Sequence, residues 1–201
     1  MSKLYESDLN DDPTAQFGMW FEEAQADSGI PIPESACLST LGPDDAPEGR
    51  MVLMKGFDDR GFVFYTNLES NKGRSLARHP KAGLTFHWVP LGRQVRLRGP
   101  VEAVSEDEAD AYFASRPRGS QLGAWASDQS RELDSREALE AKLQEVTAQY
   151  EGGPIPRPPH WSGFRIRPDQ IEFWQEGDFR LHDRFVFTRR SGGWSRMRLS
   201  P

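Results

Sequence analysis

The chain has 201 residues, 36% hydrophobic and 28% charged, which suits one soluble domain with a real core. Its longest apolar runs, such as Gly61 to Tyr65, are far too short to span a bilayer, and a formal net charge of −6 argues against nucleic acid as a general partner. Cys37 is the only cysteine, so an intrachain disulfide is excluded and a cysteine-built metal site is disfavoured.

Residues 1–12 are acidic and polar, without the basic start or apolar centre of a signal peptide, and are expected to be a flexible lead-in in a cytoplasmic protein. Basic residues gather at Arg93 to Arg98, Arg116 to Arg118 and Arg180 to Arg190. An acidic chain that keeps such clusters suggests a specific anion. Ordinary salt bridges on solvated faces are the alternative for any one cluster.

In chain order, Asp12-Pro13-Thr14 opens a helix with Phe17, Trp20, Phe21 and Ala24 at helical spacing, ended by Ser28 to Pro33. Strands are expected at Ala36 to Leu41 and Arg50 to Phe57. The latter turns at Asp58 to Gly61 and pairs back with Phe62 to Thr66. A short helix runs from Ser70 to Ala77, stopped at His79-Pro80 because the residue before proline avoids helical geometry. Two more strands, Ala82 to Val89 and Gln94 to Val104, precede helices at Ser105 to Ser115, Ser120 to Ser127 and Asp134 to Tyr150. The last helix has capping-box spacing at Asp134 and Glu137, and an apolar stripe of Leu139, Leu143, Val146 and Tyr150. A proline-rich connector, Gly152 to Pro159, leads to strands at Trp161 to Arg167, Gln170 to Gln175, Arg184 to Arg189 and Trp194 to Leu199. Strands in hairpin order with inserted helices predict a mainly β, antiparallel sheet or barrel with peripheral helices, in one domain over 13–201.

No G-x-G-x-x-G, P-loop, G-x-S-x-G or H-E-x-x-H motif is present, and the four histidines lack metal spacing. Four sets of polar side chains stand out instead. If Arg180-Leu181-His182-Asp183-Arg184 is extended, Arg180, His182 and Arg184 project to one side, close to Trp174, and ask for a negative or π-rich ligand. A solvated edge strand is the alternative. Arg50-Met51-Val52-Leu53-Met54-Lys55 is an apolar strand with basic ends. Tyr65 to Gly73 runs a strand into a helix start, where backbone N–H groups, hydroxyls and Lys72 could hold a phosphate, unless the segment is only a capped helix. Tyr112, Arg116, Arg118 and Ser120 could grip a second phosphate.

Taken in this order, the sets resemble the pyridoxamine 5′-phosphate oxidase family from about Arg50 to Pro201. Further matching words are Arg93-Gln94-Val95, Ser120-Gln121-Leu122-Gly123-Ala124-Trp125, Gln129-Ser130 and Gln170-Ile171-Glu172-Phe173-Trp174. The resemblance implies an FMN-binding split β-barrel that works as a homodimer, with FMN at the interface. It also implies oxidation of pyridoxamine 5′-phosphate and pyridoxine 5′-phosphate to pyridoxal 5′-phosphate, with O2 reduced to H2O2. The implied FMN contacts are Arg50, Met51, Val52, Leu53, Met54, Lys55, Tyr65, Thr66, Asn71, Lys72, Gln94, Gln129, Ser130, Trp174 and Arg184. Substrate contacts would be Lys55, Tyr112, Arg116, Ser120, Arg180, Leu181 and His182, with Arg180 and His182 as the catalytic pair.

Two departures carry expectations of their own. Asn71 stands where the family usually has arginine, which predicts weaker FMN retention. The lead-in offers only Tyr5 as an aromatic before Phe17, so the family's lid over the substrate is absent or rebuilt. The alternatives are another oxidase or reductase on the same barrel, of phenazine-pathway or deazaflavin type, and a binding module without turnover.

Overall fold

The computed structural model describes residues 3–201. Leu4 and Leu9 are buried, and a short 3-10 turn at Glu6–Asp8 lies between them. The stretch expected to be a flexible lead-in is therefore docked from Leu4 onward. The backbone N–H of Leu4 donates to the Asp183 carboxylate at 2.9 Å, and Arg198 donates to the Leu4 carbonyl at 3.0 Å.

Helix α1 (Pro13–Ala26) starts as its sequence predicts, with the Asp12 side chain accepting from the Thr14 N–H at 2.9 Å. Its buried face carries Phe17, Trp20 and Ala24. Phe17 is fully enclosed by the rings of Phe57, Phe62, Phe86 and Trp88, with centroids 4.8–5.9 Å away. Burying one such ring is worth about 1.5–3 kcal/mol.

The strands are β1 (Ser35–Leu41), β2 (Pro47–Asp58), β3 (Gly61–Asn67), β4 (Lys81–Trp88), β5 (Arg93–Ala103), β6 (Trp161–Ile166), β7 (Gln170–Gln175), β8 (Asp183–Arg190) and β9 (Gly193–Leu199). All pairings are antiparallel, in the order β4-β1-β2-β3-β6-β5-β7-β8-β9. Strand β4 also pairs with β5, which closes six strands into a barrel and leaves β7, β8 and β9 as an extension. Along β5, Val95 and Leu97 are buried in the core. Gln94, Arg96 and Arg98 lie on the other face, because successive side chains alternate.

The expected hairpin of β2 with β3 forms only in part. Met54 to Asp58 pairs with β3, with a register shift between Met54 and Gly56, whereas Pro47 to Leu53 pairs with β1. Beyond Phe64, β3 continues to Asn67 against β6 alone. The barrel wall is split at this point, and the β2 edge from Arg50 to Leu53 has no strand partner on that side among the described residues. Such an edge keeps free backbone donors and acceptors.

The helices are α2 (Asn71–Arg78), α3 (Glu106–Ser115), α4 (Arg118–Ala126) and α5 (Arg136–Gln149). The N-cap of α5 is Ser135, whose hydroxyl accepts from the Ala138 N–H at 3.1 Å, and not Asp134. No residue of α5 is fully buried, and Leu143 is exposed. Its apolar stripe therefore covers the edge of the domain rather than entering the core. Among the described residues, no helix is long and apolar enough to cross a membrane.

Candidate active site

The split in the wall opens a cleft of about 520 Å³. Met51, Val52, Leu53 and Lys55 of β2 form one side of it, and Tyr65, Thr66 and Asn67 of β3 another. Lys72, Tyr112, Arg116, Ser120 and Gln129 complete the polar lining. One cavity thus gathers eleven of the expected site residues from segments up to 78 positions apart, from Met51 to Gln129.

Lys72 sits in the first turn of α2, whose N-cap Ser70 accepts from the Gly73 N–H at 3.2 Å. Gly73 is needed here because a Cβ would fall 2.1 Å from the Leu68 carbonyl oxygen. The Lys72 Nζ donates to Gln129 Oε1 at 2.9 Å and to Thr66 Oγ1 at 3.2 Å, and no carboxylate neutralises it among the described residues. Burial, and then the nearby Arg50 charge, push its pKa down. An ammonium without a carboxylate partner at a helix N-terminus favours an anion. Arg50 itself is turned onto Thr40 and Glu48. Its charge reaches Lys72, but its side chain does not line the cleft.

Arg116 is the second cation. Its guanidinium lies 4.7 Å from the Trp161 ring and 5.6 Å from the Phe113 ring. The Nη1 atom is buried without a hydrogen-bond partner. Burial disfavours its charged form and lowers its pKa, which an arriving anion would relieve. Tyr65, Tyr112 and Trp161 stack beside it, with Tyr65–Tyr112 centroids 4.0 Å apart and nearly parallel. Gly163, opposite Tyr65 in the ladder, makes room for this ring, since a Cβ there would stand 2.7 Å from it. Arg118, which the sequence offers as part of this grip, points elsewhere. It donates to the carbonyls of Tyr150 and Gly153 and ties α4 to the end of α5.

Other expected residues form a second cluster on the strand extension. Gln94, Trp174 and Arg184 are register partners across β5, β7 and β8. The His182 ring packs on Trp174 with centroids 4.6 Å apart. His182 Nδ1 accepts from the Gly177 N–H at 3.2 Å, so the neutral ring carries its proton on Nε2. None of these residues lines the cleft of Lys72 and Arg116.

The expectation that Arg180, His182 and Arg184 share one extended face is not met. Strand β8 begins at Asp183, and Phe179 and Arg180 are left-handed, at φ of 55° and 64°. Arg180 is carried on a tight turn and Leu181 is exposed beside it. Three other implied contacts, Met54, Ser130 and Asn71, lie outside the cleft lining. The Met54 side chain is buried in the barrel core, leaving only its backbone for the cleft. Ser130, at φ of 69°, lines an adjoining cavity instead. Asn71 does not line the cleft either, and its Oδ1 accepts from Arg74 Nη2 at 2.6 Å.

Sequence reasoning missed Asn67, Gly123, Ala124, Ser127 and Trp161 in the lining. Only Trp161 carried a usable signal, as a tryptophan opening a strand directly after a proline-rich connector.

Residues 22–150 match the family model described as pyridoxamine 5′-phosphate oxidase. Residues 161–201 match the pyridoxine 5′-phosphate oxidase C-terminal dimerisation region. The pyridoxine/pyridoxamine 5′-phosphate oxidase of Azorhizobium caulinodans is 58% identical over 193 residues, which is 95% of this chain and 91% of that protein. That of Rhizobium meliloti is 55% identical over 204 residues, covering 100% and 98%. Among solved structures, PhzG from Burkholderia lata 383, in complex with tetrahydrophenazine-1-carboxylic acid, matches with a TM-score of 0.92. Its identity is 30%, with 100% of this chain and 99% of that one covered. A pyridoxamine 5′-phosphate oxidase-related, FMN-binding protein from Nostoc punctiforme shares the fold, with a TM-score of 0.74 at 16% identity over 93% of this chain and 96% of that one. Agreement this long and this continuous, over a split antiparallel barrel, establishes that the chain belongs to the pyridoxamine 5′-phosphate oxidase family.

Proposed function

We propose that the protein binds FMN and oxidises pyridoxamine 5′-phosphate and pyridoxine 5′-phosphate to pyridoxal 5′-phosphate. Oxygen is the final acceptor and H2O2 the by-product; with the amine, one water is consumed to supply the aldehyde oxygen and ammonia is released. The observation that carries this reading is two cationic stations in one cleft, Lys72 and Arg116, neither neutralised by a carboxylate among the described residues. A phosphorylated cofactor and a phosphorylated substrate need two such stations.

Bound FMN would supply the hydride acceptor and the route to oxygen. The chain's own contribution is to bind, orient and shield. Lys72, Thr66, Gln129 and the α2 N-terminus would hold the cofactor phosphate, and the unpartnered β2 edge would meet the flavin's polar rim. Arg116, Ser120, Tyr112 and Lys55 would hold the substrate phosphate. His182 can donate from Nε2, and Arg180 brings positive charge beside it.

The second cluster lies on strands inside the matched dimerisation region or next to it. A homodimer in which this cluster completes the partner's cleft accounts for both clusters being incomplete alone. Within the cluster the roles divide. Arg184→Ala is expected to weaken FMN binding about tenfold. Arg180→Ala should lower kcat/KM by a similar factor with FMN retained. Flavin fluorescence titration and steady-state kinetics separate the two.

Asn71 bears on cofactor retention. Because Arg74 already places a guanidinium against Asn71, an Asn71→Arg variant is expected to tighten FMN by no more than about threefold. An unchanged dissociation constant would remove Asn71 as a cause of weak retention.

The whole reading is tested by purifying the protein and adding pyridoxamine 5′-phosphate under air. A yellow protein that yields both H2O2 and pyridoxal 5′-phosphate supports it. FMN binding without turnover favours a binding module, and a colourless protein that FMN does not restore overturns the proposal. The likeness to PhzG makes a reduced phenazine carboxylate the informative counter-substrate.

A further inference from the structure

Glu172 is a carboxylate in an unusual place. It lies on β7, on the face turned away from the core, yet it is only 5% exposed. Two arginines cover it. Arg96, its register partner on β5, donates to Oε2, and Arg184 on β8 donates from Nε to Oε1 at 2.9 Å. Burial would push the Glu172 pKa up, but hydrogen bonds and charge from the two arginines outweigh it and hold it below the usual carboxylate range. The group therefore stays ionised, and two cations against one anion leave this patch a net positive charge.

Arg184 is gripped at a second point. Its Nη1 donates to the Ser200 carbonyl at 3.0 Å. With Nε and Nη1 both occupied, the guanidinium plane is fixed, and Nη2 is the nitrogen without a protein partner among the described residues. Its register neighbour Trp174, stacked with His182, adjoins it. A planar donor held this way loses little freedom when it meets a ligand.

We propose that Glu172 is a positioning residue of the flavin site, which acts by holding Arg184 so that its free nitrogen faces the ligand. This rests on the reading of Arg184 as a flavin contact. Arg96 has a different role, in that it screens Glu172 from water and does not orient Arg184. Without the Glu172 charge, the Arg184 Nε is left with at most a neutral acceptor and the two guanidinium groups repel each other across one strand.

The test is titration of FMN-stripped protein with FMN, read by quenching of flavin fluorescence. The variants are Glu172→Gln, Glu172→Asp, Arg96→Gln, Arg184→Ala and the double variant Glu172→Gln/Arg184→Ala. Glu172→Gln keeps the side-chain shape and is expected to weaken FMN about tenfold. Glu172→Asp keeps the charge and should fall between Gln and the parent, and it is the fallback should the glutamine variant fold poorly. Arg96→Gln should stay within about twofold of the parent, and the double variant should be no worse than Arg184→Ala alone.

Three results overturn the proposal while leaving Arg184 as a flavin contact. They are parental binding by Glu172→Gln, an additive loss in the double variant, and an Arg96→Gln loss as large as that of Glu172→Gln. The last would make the three groups a structural unit. Parental FMN binding by Arg184→Ala instead overturns the underlying reading of Arg184, and the proposal with it.

Discussion

Replacing Arg116 by alanine is expected to raise KM for pyridoxamine 5′-phosphate about a hundredfold and to leave FMN binding within about twofold. The size follows from the setting. Arg116 stands half-buried over Trp161 with one guanidinium nitrogen unpartnered, and burial works against its charge. A phosphate dianion would supply the missing partner in a place where water does not compete well. Removing one member of such a pair costs about 2–5 kcal/mol, of which each 1.4 kcal/mol is tenfold in affinity. Ser120, Tyr112 and Lys55 remain, so binding is weakened and not abolished. Kinetics with pyridoxine 5′-phosphate and with unphosphorylated pyridoxine provide the check. The preference for the phosphate ester should collapse in the variant. An equal loss on both substrates would mean that Arg116 supports the fold or the ring site instead. Arg116→Lys should recover part of the loss, since it restores charge without the planar stacking on Trp161.

Mixing two impaired variants should restore activity. Arg116→Ala removes a residue of the cleft, and Arg180→Ala removes one of the second cluster, which does not line that cleft in the same chain. If a site is built from one protomer's cleft and the partner's second cluster, a mixed dimer holds one intact site and one doubly damaged site. Random pairing after co-expression makes about half of the dimers mixed, so total activity should recover to about a quarter of the parent. Each variant alone stays at its low level. Native mass spectrometry gives the mixed fraction, and peroxide release per flavin gives the activity. No recovery at a confirmed mixed fraction would place both clusters in the same protomer's site.

Local sequence determined much of this molecule. Asp12 before Pro13, Ser70 before the α2 turn and the alternation of Val95 and Leu97 with Gln94 and Arg96 state helix starts and strand faces through short-range physics. The order of strands and helices was legible for the same reason. The polar words that resemble the family also carried the residues of the cleft, because binding chemistry needs particular side chains wherever the chain happens to run.

Other features depended on contacts between distant segments. The change of partner along β2, from β1 to β3 near Met54, creates the cleft, and no local pattern distinguishes Arg50 to Leu53 from an ordinary hairpin strand. The docking of Leu4 on Asp183 joins residues 179 positions apart. The clamp of Glu172 on Arg184 arises only when β7 pairs with β8. Arg180 shows the limit most directly. Its spacing to His182 and Arg184 suggests one extended face, but Phe179 and Arg180 adopt left-handed backbone and β8 starts only at Asp183. Local chain chemistry sets which side chains are available and which elements form. Where the wall splits and which cations stay unpaired follow from the assembled barrel, because ladder register and burial are set by all its strands and not by neighbours in the chain.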